Sequence, residues 1–302
     1  MSAGYLFIRV YPSRGEPLLE IGSAETRPAR ISGADASADL PYVADDVSVS
    51  DRERAEAALR DALARHSSPE AADRYRLPLE TARRILQETA EQLRRVAQFR
   101  QRATAEPDNA AAFNNLGCGL DRIGDHAGAI EAFKRATALE PDNALFFANL
   151  GCNYGKLGLY RKAIDAFLEA IRLRPDFIKA HFDLGFSYGR LGHHQKAVET
   201  FQNAIGINPN VAQLHYNLGH AYVKLGRNRE AVKALSAAVR VNPNHANAHY
   251  RLGLAHLRAR NREAALKQYR ILRSLDDAKA RRLFRRIYRQ YGHGPDARAA
   301  QS

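Results

Sequence analysis

From about residue 107 onward the hydrophobic positions recur first with a helical step and then with a longer one. Phe147, Leu150, Gly151 and Tyr154 fall at i, i+3, i+4 and i+7, one face of a helix. Gly158 marks its end, because glycine adopts the left-handed conformation without steric cost. Ala163, Ile164, Phe167, Ala170 and Ile171 then form the inner face of a second helix. Pro175 closes the unit, since it cannot extend that helix and suits the start of the next. Gly151 and Ala163 let the two helix axes approach closely.

The same pattern returns every 34 residues. Pro107, Pro141, Pro175, Pro209 and Pro243 keep the step, as do Leu116-Gly117, Leu150-Gly151, Leu184-Gly185, Leu218-Gly219 and Leu252-Gly253. Gly124, Gly158, Gly192 and Gly226 follow it, and so do Ala129, Ala163, Ala197, Ala231 and Ala265. A fixed period of this size predicts stacked supersecondary units rather than one globular core.

The spacing hydrophobe-x₂-Leu-Gly-x₂-aromatic, then Gly, then Ala-x₃-Phe-x₂-Ala-x₄-Pro resembles the tetratricopeptide repeat (TPR) family. The resemblance covers five units, 107–140, 141–174, 175–208, 209–242 and 243–276, and implies an all-α fold, a right-handed α-solenoid of helix pairs. The sequence departs from the family where Phe113, Phe147, His181, His215 and His249 replace the usual Trp. The fifth unit has Arg260 for the hinge glycine and Asp277 for the final proline, as expected where stacking stops.

The flanks complete the domain plan. Residues 1–77 form a small segment in which YLFIRVY (5–11) and Leu18 to Ile21 read as short β-strands. Residues 22–49 lack any period, and Ser50 with Glu53 caps a helix to about His66. Residues 78–106 read as a long helix carrying Leu79, Ala82, Leu86, Leu93 and Val96. That stripe is either a coiled-coil seam or a cap on the first repeat, and the interruption at Arg100 favours the cap. Residues 277–291 read as a basic capping helix with Leu283, Phe284, Ile287 and Tyr291 apolar, and 292–302 as a tail.

Charge divides the chain further. The net charge is +13, and residues 209–302 hold 19 Lys and Arg against 5 Asp and Glu, so the excess lies at the C-terminal end. Such an end favours an acidic partner. No run approaches the roughly eighteen apolar residues of a membrane-spanning helix. The opening residues lack a basic n-region and a cleavage site, so no secretory signal is expected. Cys118 and Cys152 read as reduced thiols, and a cytoplasmic location is expected.

Catalytic and cofactor signatures do not survive inspection. Gly151 to Lys156 imitates a phosphate loop but falls one residue short and inside a helix. Gly117-Cys118-Gly119 is likewise mid-helix. His245 and His249 stand at i, i+4, yet His249, like His181 and His215, holds the repeat's internal packing slot, so a metal is not expected. No enzyme activity, cofactor or metal is expected.

The resemblance implies that the first helix of each unit lines a concave groove. Asn115, Asn149, Asp183, Asn217 and Arg251 share one slot there. An asparagine amide can pair with both the C=O and N–H of an extended peptide, and the row resembles the asparagine ladder of the O-linked N-acetylglucosamine transferases, broken at Asp183 and Arg251. Asparagine is also simply common in repeats of this type. Arg122, Lys156, Arg190, Lys224 and Arg258 form a basic row. The helix dipole favours cations there, and together they would make an electropositive strip. Cys118, Cys152, Phe186, His220 and Leu254, with Phe182, Tyr216 and Tyr250, make an apolar and aromatic band suited to hydrophobic anchors. The expected function is protein–protein interaction: an adaptor or scaffold binding an extended, acidic peptide. Two rivals remain open. One is single-stranded nucleic-acid binding by the basic C-terminal third, with Phe284, Tyr288 and Tyr291 as stacking faces. The other is homo-oligomeric assembly through helix 78–105.

Overall fold

The computed structural model describes residues 5–11, 18–24, 69–71, 74–76 and 79–291. They fall in two compact units divided between Asp142 and Asn143. The helix expected from Ser50 to His66 and the tail 292–302 lie outside the described residues.

In the first unit, β1 (Tyr5–Tyr11) pairs antiparallel with β2 (Leu18–Ala24), from Tyr5 opposite Ala24 to Tyr11 opposite Leu18. The second strand thus runs to Ala24 rather than Ile21. β3 (Pro69–Ala71) and β4 (Arg74–Arg76) complete a sheet of order β1-β2-β4-β3. A two-stranded hairpin is marginal in water, and β4 supplies the third strand by pairing with β2.

Three helices follow: α1 (Leu79–Ala105), α2 (Ala110–Arg122) and α3 (His126–Leu139). Of the stripe on α1, Leu93 and Val96 are buried, with Ile85 beside them. The side chains of Leu79, Ala82 and Leu86 lie outside those described. Val96 and Phe99 press onto Gly119 of α2, where an added Cβ would lie 3.1 and 3.0 Å from them. This part of the stripe is therefore covered within its own chain, as a cap requires, rather than left as a seam.

The second unit holds α4 (Ala144–Lys156), α5 (Tyr160–Leu173), α6 (Ile178–Arg190), α7 (His194–Ile207), α8 (Ala212–Lys224), α9 (Asn228–Val241), α10 (Ala246–Arg258), α11 (Arg262–Leu275) and α12 (Asp277–Tyr291). The end of α4 shows why each first helix stops where it does. Gly158 has φ 75°, its N–H donates to the Gly155 carbonyl, and the Leu159 N–H reaches back to the Tyr154 carbonyl. This paired closure satisfies the last carbonyls and needs a left-handed residue. Arg260 makes the same closure at φ 55° without being glycine. The fifth hinge therefore keeps the geometry and loses only the favourable residue.

Packing within each pair turns on the Leu-Gly position. A Cβ on Gly151 would sit 2.7 Å from the Phe167 ring, and one on Gly185 2.7 Å from that of Phe201. The missing side chain is thus the notch that the ring of the second helix fills. In repeat four Leu235 fills the notch at Gly219. In repeat five the second helix carries Tyr269, which packs on Phe284 with ring centroids 4.9 Å apart. Leu283 of α12 takes the notch at Gly253 instead. The capping helix thus replaces a missing core residue.

The histidines in the usual Trp slot are structural. Nε2 of His181, His215 and His249 lies 2.8, 2.7 and 2.8 Å from the carbonyl of Pro175, Pro209 and Pro243. A ring protonated at Nε2 donates to that carbonyl and ties each first helix to its leading turn. His249 Nδ1 is also 2.7 Å from Oε1 of buried Gln268, a contact whose donor is set by the ring tautomer and the amide orientation.

Candidate peptide-binding face

Within the second unit the first helices of successive repeats adjoin directly, α4 with α6, α6 with α8 and α8 with α10. They therefore share one wall. Each presents residues at i, i+4, i+7 and i+11, one face of a helix. On α4 these are Leu145, Asn149, Cys152 and Lys156; on α6, Lys179, Asp183, Phe186 and Arg190. On α8 they are Gln213, Asn217, His220 and Lys224; on α10, Asn247, Arg251, Leu254 and Arg258. None of these sixteen is buried, whereas Leu150, Leu184, Leu218 and Leu252 on the opposite side are.

Lys156, Arg190, Lys224 and Arg258 are exposed, each at the last position of its helix, and Arg122 is exposed at the end of α2 in the first unit. The asparagine slot is less uniform. Asn115 is exposed in the first unit, and Asn149 and Asn217 are half-buried. Asn217 accepts a long hydrogen bond from Gln213 Nε2 at 3.4 Å. Asp183 and Arg251 are engaged by neighbours. Asp183 Oδ2 accepts from Lys179 Nζ at 2.8 Å and lies 3.4 Å from Cys152 Sγ, and Lys179 Nζ is 3.0 Å from the same sulfur. Burial opposes charge on Lys179, but its hydrogen bonds to Asp183 and Cys152 outweigh that and raise its pKa. Burial, followed by the Asp183 carboxylate, raises the pKa of the Cys152 thiol.

The apolar band separates into unlike parts. Phe186 is 48% exposed, with the Arg190 guanidinium 5.9 Å from its ring centroid. Arg190 also lies 4.9 Å over Tyr160. Phe182 instead packs on the buried cluster around Phe201, with the two rings edge to face at 6.4 Å. Tyr250 and Leu254 pack on the C-terminal cluster that includes Leu283 and Ile287. Leu254 is thus a correction: α12 folds against it, so it is no open anchor. Tyr216 stacks on His245 at 5.1 Å and accepts from Arg251 Nε at 2.7 Å.

The sequence reading missed the row at the start of each helix, Leu145, Lys179, Gln213 and Asn247. Its signal was available, four residues before the asparagine slot on the same face. Leu145, at 43% exposure, matters most because it is a second open apolar side chain on this wall.

The stacking surfaces expected for a nucleic acid are committed elsewhere. Phe284 lies 4.2 Å from the Tyr288 ring, and Tyr291 packs on the C-terminal cluster beneath Arg262. The i, i+4 histidine pair is likewise spent, since His245 caps α10 by accepting from the Ala248 N–H. Among the described residues no group of three His, Cys, Asp or Glu is arranged to hold a metal, and no helix is long and apolar enough to cross a membrane.

Stacked helix pairs presenting one wall of polar, basic and apolar side chains define an α-helical repeat protein of the binding type. Tetratricopeptide repeat models match residues 110–143 and 216–278, and a TPR repeat model matches 154–192 and 190–226. The chain belongs to the tetratricopeptide repeat family. Among solved structures it is similar to MamA, with 27% identity, TM-score 0.52, and 55% of this chain and 97% of that one covered. MamA from Desulfovibrio magneticus aligns at 21% identity and TM-score 0.53 over 56% of this chain and 96% of its own. YrrB, described as a TPR protein with an unusual peptide-binding site, aligns at 22% identity and TM-score 0.54, covering 62% of this chain and 97% of its own. No curated protein matches the chain.

Proposed function

We propose that this protein is a protein-interaction scaffold whose first-helix wall holds an extended, acidic segment of another protein. The observation that carries this reading is Phe186, a large ring left 48% exposed on a helix face between an acidic and a basic neighbour. An isolated apolar side chain gains nothing in water. Set in a wall with Leu145 on the adjoining helix, it suits a partner with hydrophobic anchors. Asn149 and Asn217 supply amides for the partner's backbone. The basic row Lys156, Arg190, Lys224 and Arg258 steers an acidic chain toward the wall. The unusual peptide-binding site of YrrB, a protein of like fold, supports this reading.

The test is selection of binders from a random peptide display library on the full chain, followed by Phe186→Ala. Truncating a central aromatic anchor weakens binding by about 2 kcal/mol, roughly thirtyfold. Retention of full affinity by every selected peptide overturns the anchor. The double substitution Asn149→Ala with Asn217→Ala is expected to weaken the same peptides with unchanged circular dichroism, and unaltered affinity removes the amide ladder.

A further inference from the structure

The first helices of repeats four and five, α8 and α10, carry cations and no carboxylate of their own. Between Thr200 and Arg262 the one carboxylate is Glu230, on α9, and it accepts from Arg227 Nε at 2.8 Å. Neither α8 nor α10 contains an acid. Arg251 is instead positioned by an aromatic. Its Nε donates to Tyr216 Oη at 2.7 Å and its guanidinium lies 5.4 Å from that ring's centroid. Tyr216 is held in turn by the stacked His245, whose Nε2 is 3.2 Å from Gln213 Oε1. A guanidinium fixed through Nε keeps the other edge of its fork for an acceptor from outside.

His220 stands one turn after Tyr216 on α8, half-buried, and Lys224 one turn further, exposed. Three groups act on its imidazole from the packed helices, Arg251 of α10, Lys224 of α8 and His194 of α7, and all are basic. Burial first, and then these three, hold the ring neutral, with its pKa pushed down to about 4. The ring is thus a neutral proton acceptor beside cations, of which Arg251 is held in place by its bond to Tyr216.

We propose that Arg251, His220 and Lys224 form an oxyanion subsite for a carboxylate or phosphate of an extended peptide, and that filling it brings a proton onto His220. This rests on the peptide-binding reading above and assigns its acidic contact to repeats four and five. An anion beside the ring offsets the repulsion from Arg251 and Lys224, so the bound state holds more protons than the free state. By linkage, affinity rises as pH falls from neutrality toward about 5, as long as the ligand's carboxylate stays ionised.

The experiment uses the full chain and fluorescein-labelled dodecapeptides of one Phe/Ala-rich sequence, with a central Glu-Glu, Gln-Gln or phosphoserine. Anisotropy is read at about pH 7.5 and about pH 5.5, on either side of the ordinary histidine range. The Glu peptide is expected to bind at least about tenfold tighter than the Gln peptide, a difference of about 1.4 kcal/mol. It should also gain affinity at the lower pH. Arg251→Gln should remove the preference for Glu, and His220→Asn the pH dependence, and the His220 ring proton shifts should titrate higher with Glu peptide bound. Comparison of phosphoserine with Glu at the higher pH decides which oxyanion source fits better. Equal binding of Glu and Gln peptides, or a pH dependence that survives His220→Asn, overturns the subsite. If the Gln peptide then still loses affinity on Phe186→Ala, the groove reading stands and the subsite alone falls. Binding of a mixed oligonucleotide that Arg251→Gln abolishes, with no peptide bound, overturns both.

Discussion

Repeats two and three and repeats four and five are built on one pattern, yet their walls differ in how charge is settled. On α6 Lys179 meets Asp183 at 2.8 Å, four residues on, so a cation has its counterion on the same helix. On α10 the corresponding slot holds Arg251, braced by a tyrosine, with no carboxylate on it or on α8. The cores differ in step. Phe167 and Phe201 fill the notches of repeats two and three, Leu235 that of repeat four, and Leu283 of the capping helix that of repeat five. Repeats two and three thus fill their own notches, whereas the last repeat depends on α12 for its core and carries a guanidinium with no acid on its own helix or on α8. Identical backbone slots can therefore hold either a closed surface or an open one, depending on a few side chains.

The core half of this contrast gives the largest expected effect. Phe201→Ala empties the notch at Gly185 and is expected to cost about 3–5 kcal/mol, as is Leu283→Ala, at about 2–5 kcal/mol, in a helix outside the repeats. Urea denaturation of both variants measures this, and a cost below about 1 kcal/mol for Leu283→Ala would show that α12 is no part of repeat five.

Next comes the histidine slot. His249→Ala leaves Gln268 buried without its partner and is expected to cost about 1–3 kcal/mol beyond the lost packing. His215→Ala, at a half-buried site with one bond, should cost less. Equal losses in thermal unfolding would mean that the His249–Gln268 contact contributes nothing.

The charged wall has its own signature in the free protein. His220 is depressed from 6.5 to about 4, so between those values the unfolded chain binds a proton that the folded chain refuses. This contribution is complete above about pH 6.5 and declines as pH falls toward about 4. His220→Asn should lose less stability than the parent between about pH 7 and 5, and parallel curves would contradict the assignment. Smallest is Arg260→Gly. It relieves a left-handed backbone that costs a side-chain-bearing residue about 1–2 kcal/mol, less the entropy glycine gives back, leaving a gain of about 0.5–1 kcal/mol.

Most of this architecture was legible in the chain. The helix pairs, the glycine hinges and the alanine contacts follow from local periodicity, because a 34-residue repeat must bury the same face each time. The face carrying Asn149, Phe186 and Lys224 was legible too, since positions three and four apart share a helix side. What escaped depended on neighbours across repeats. Leu254 and Phe186 occupy the same slot, and only the packing of α12 makes the first a core contact and leaves the second open. Phe284, Tyr288 and Tyr291 read equally well as stacking surfaces until their rings are seen against one another and the C-terminal core.

The sequence by itself thus determined which residues form helices, where those helices end and which side of each is apolar, because these are set by forces reaching one or two turns. Tertiary structure alone decided which of those side chains are spent. Whether Arg251 has a counterion, or Leu254 a cover, depends on what a helix one repeat away places beside it, and short-range periodicity carries no record of that distance.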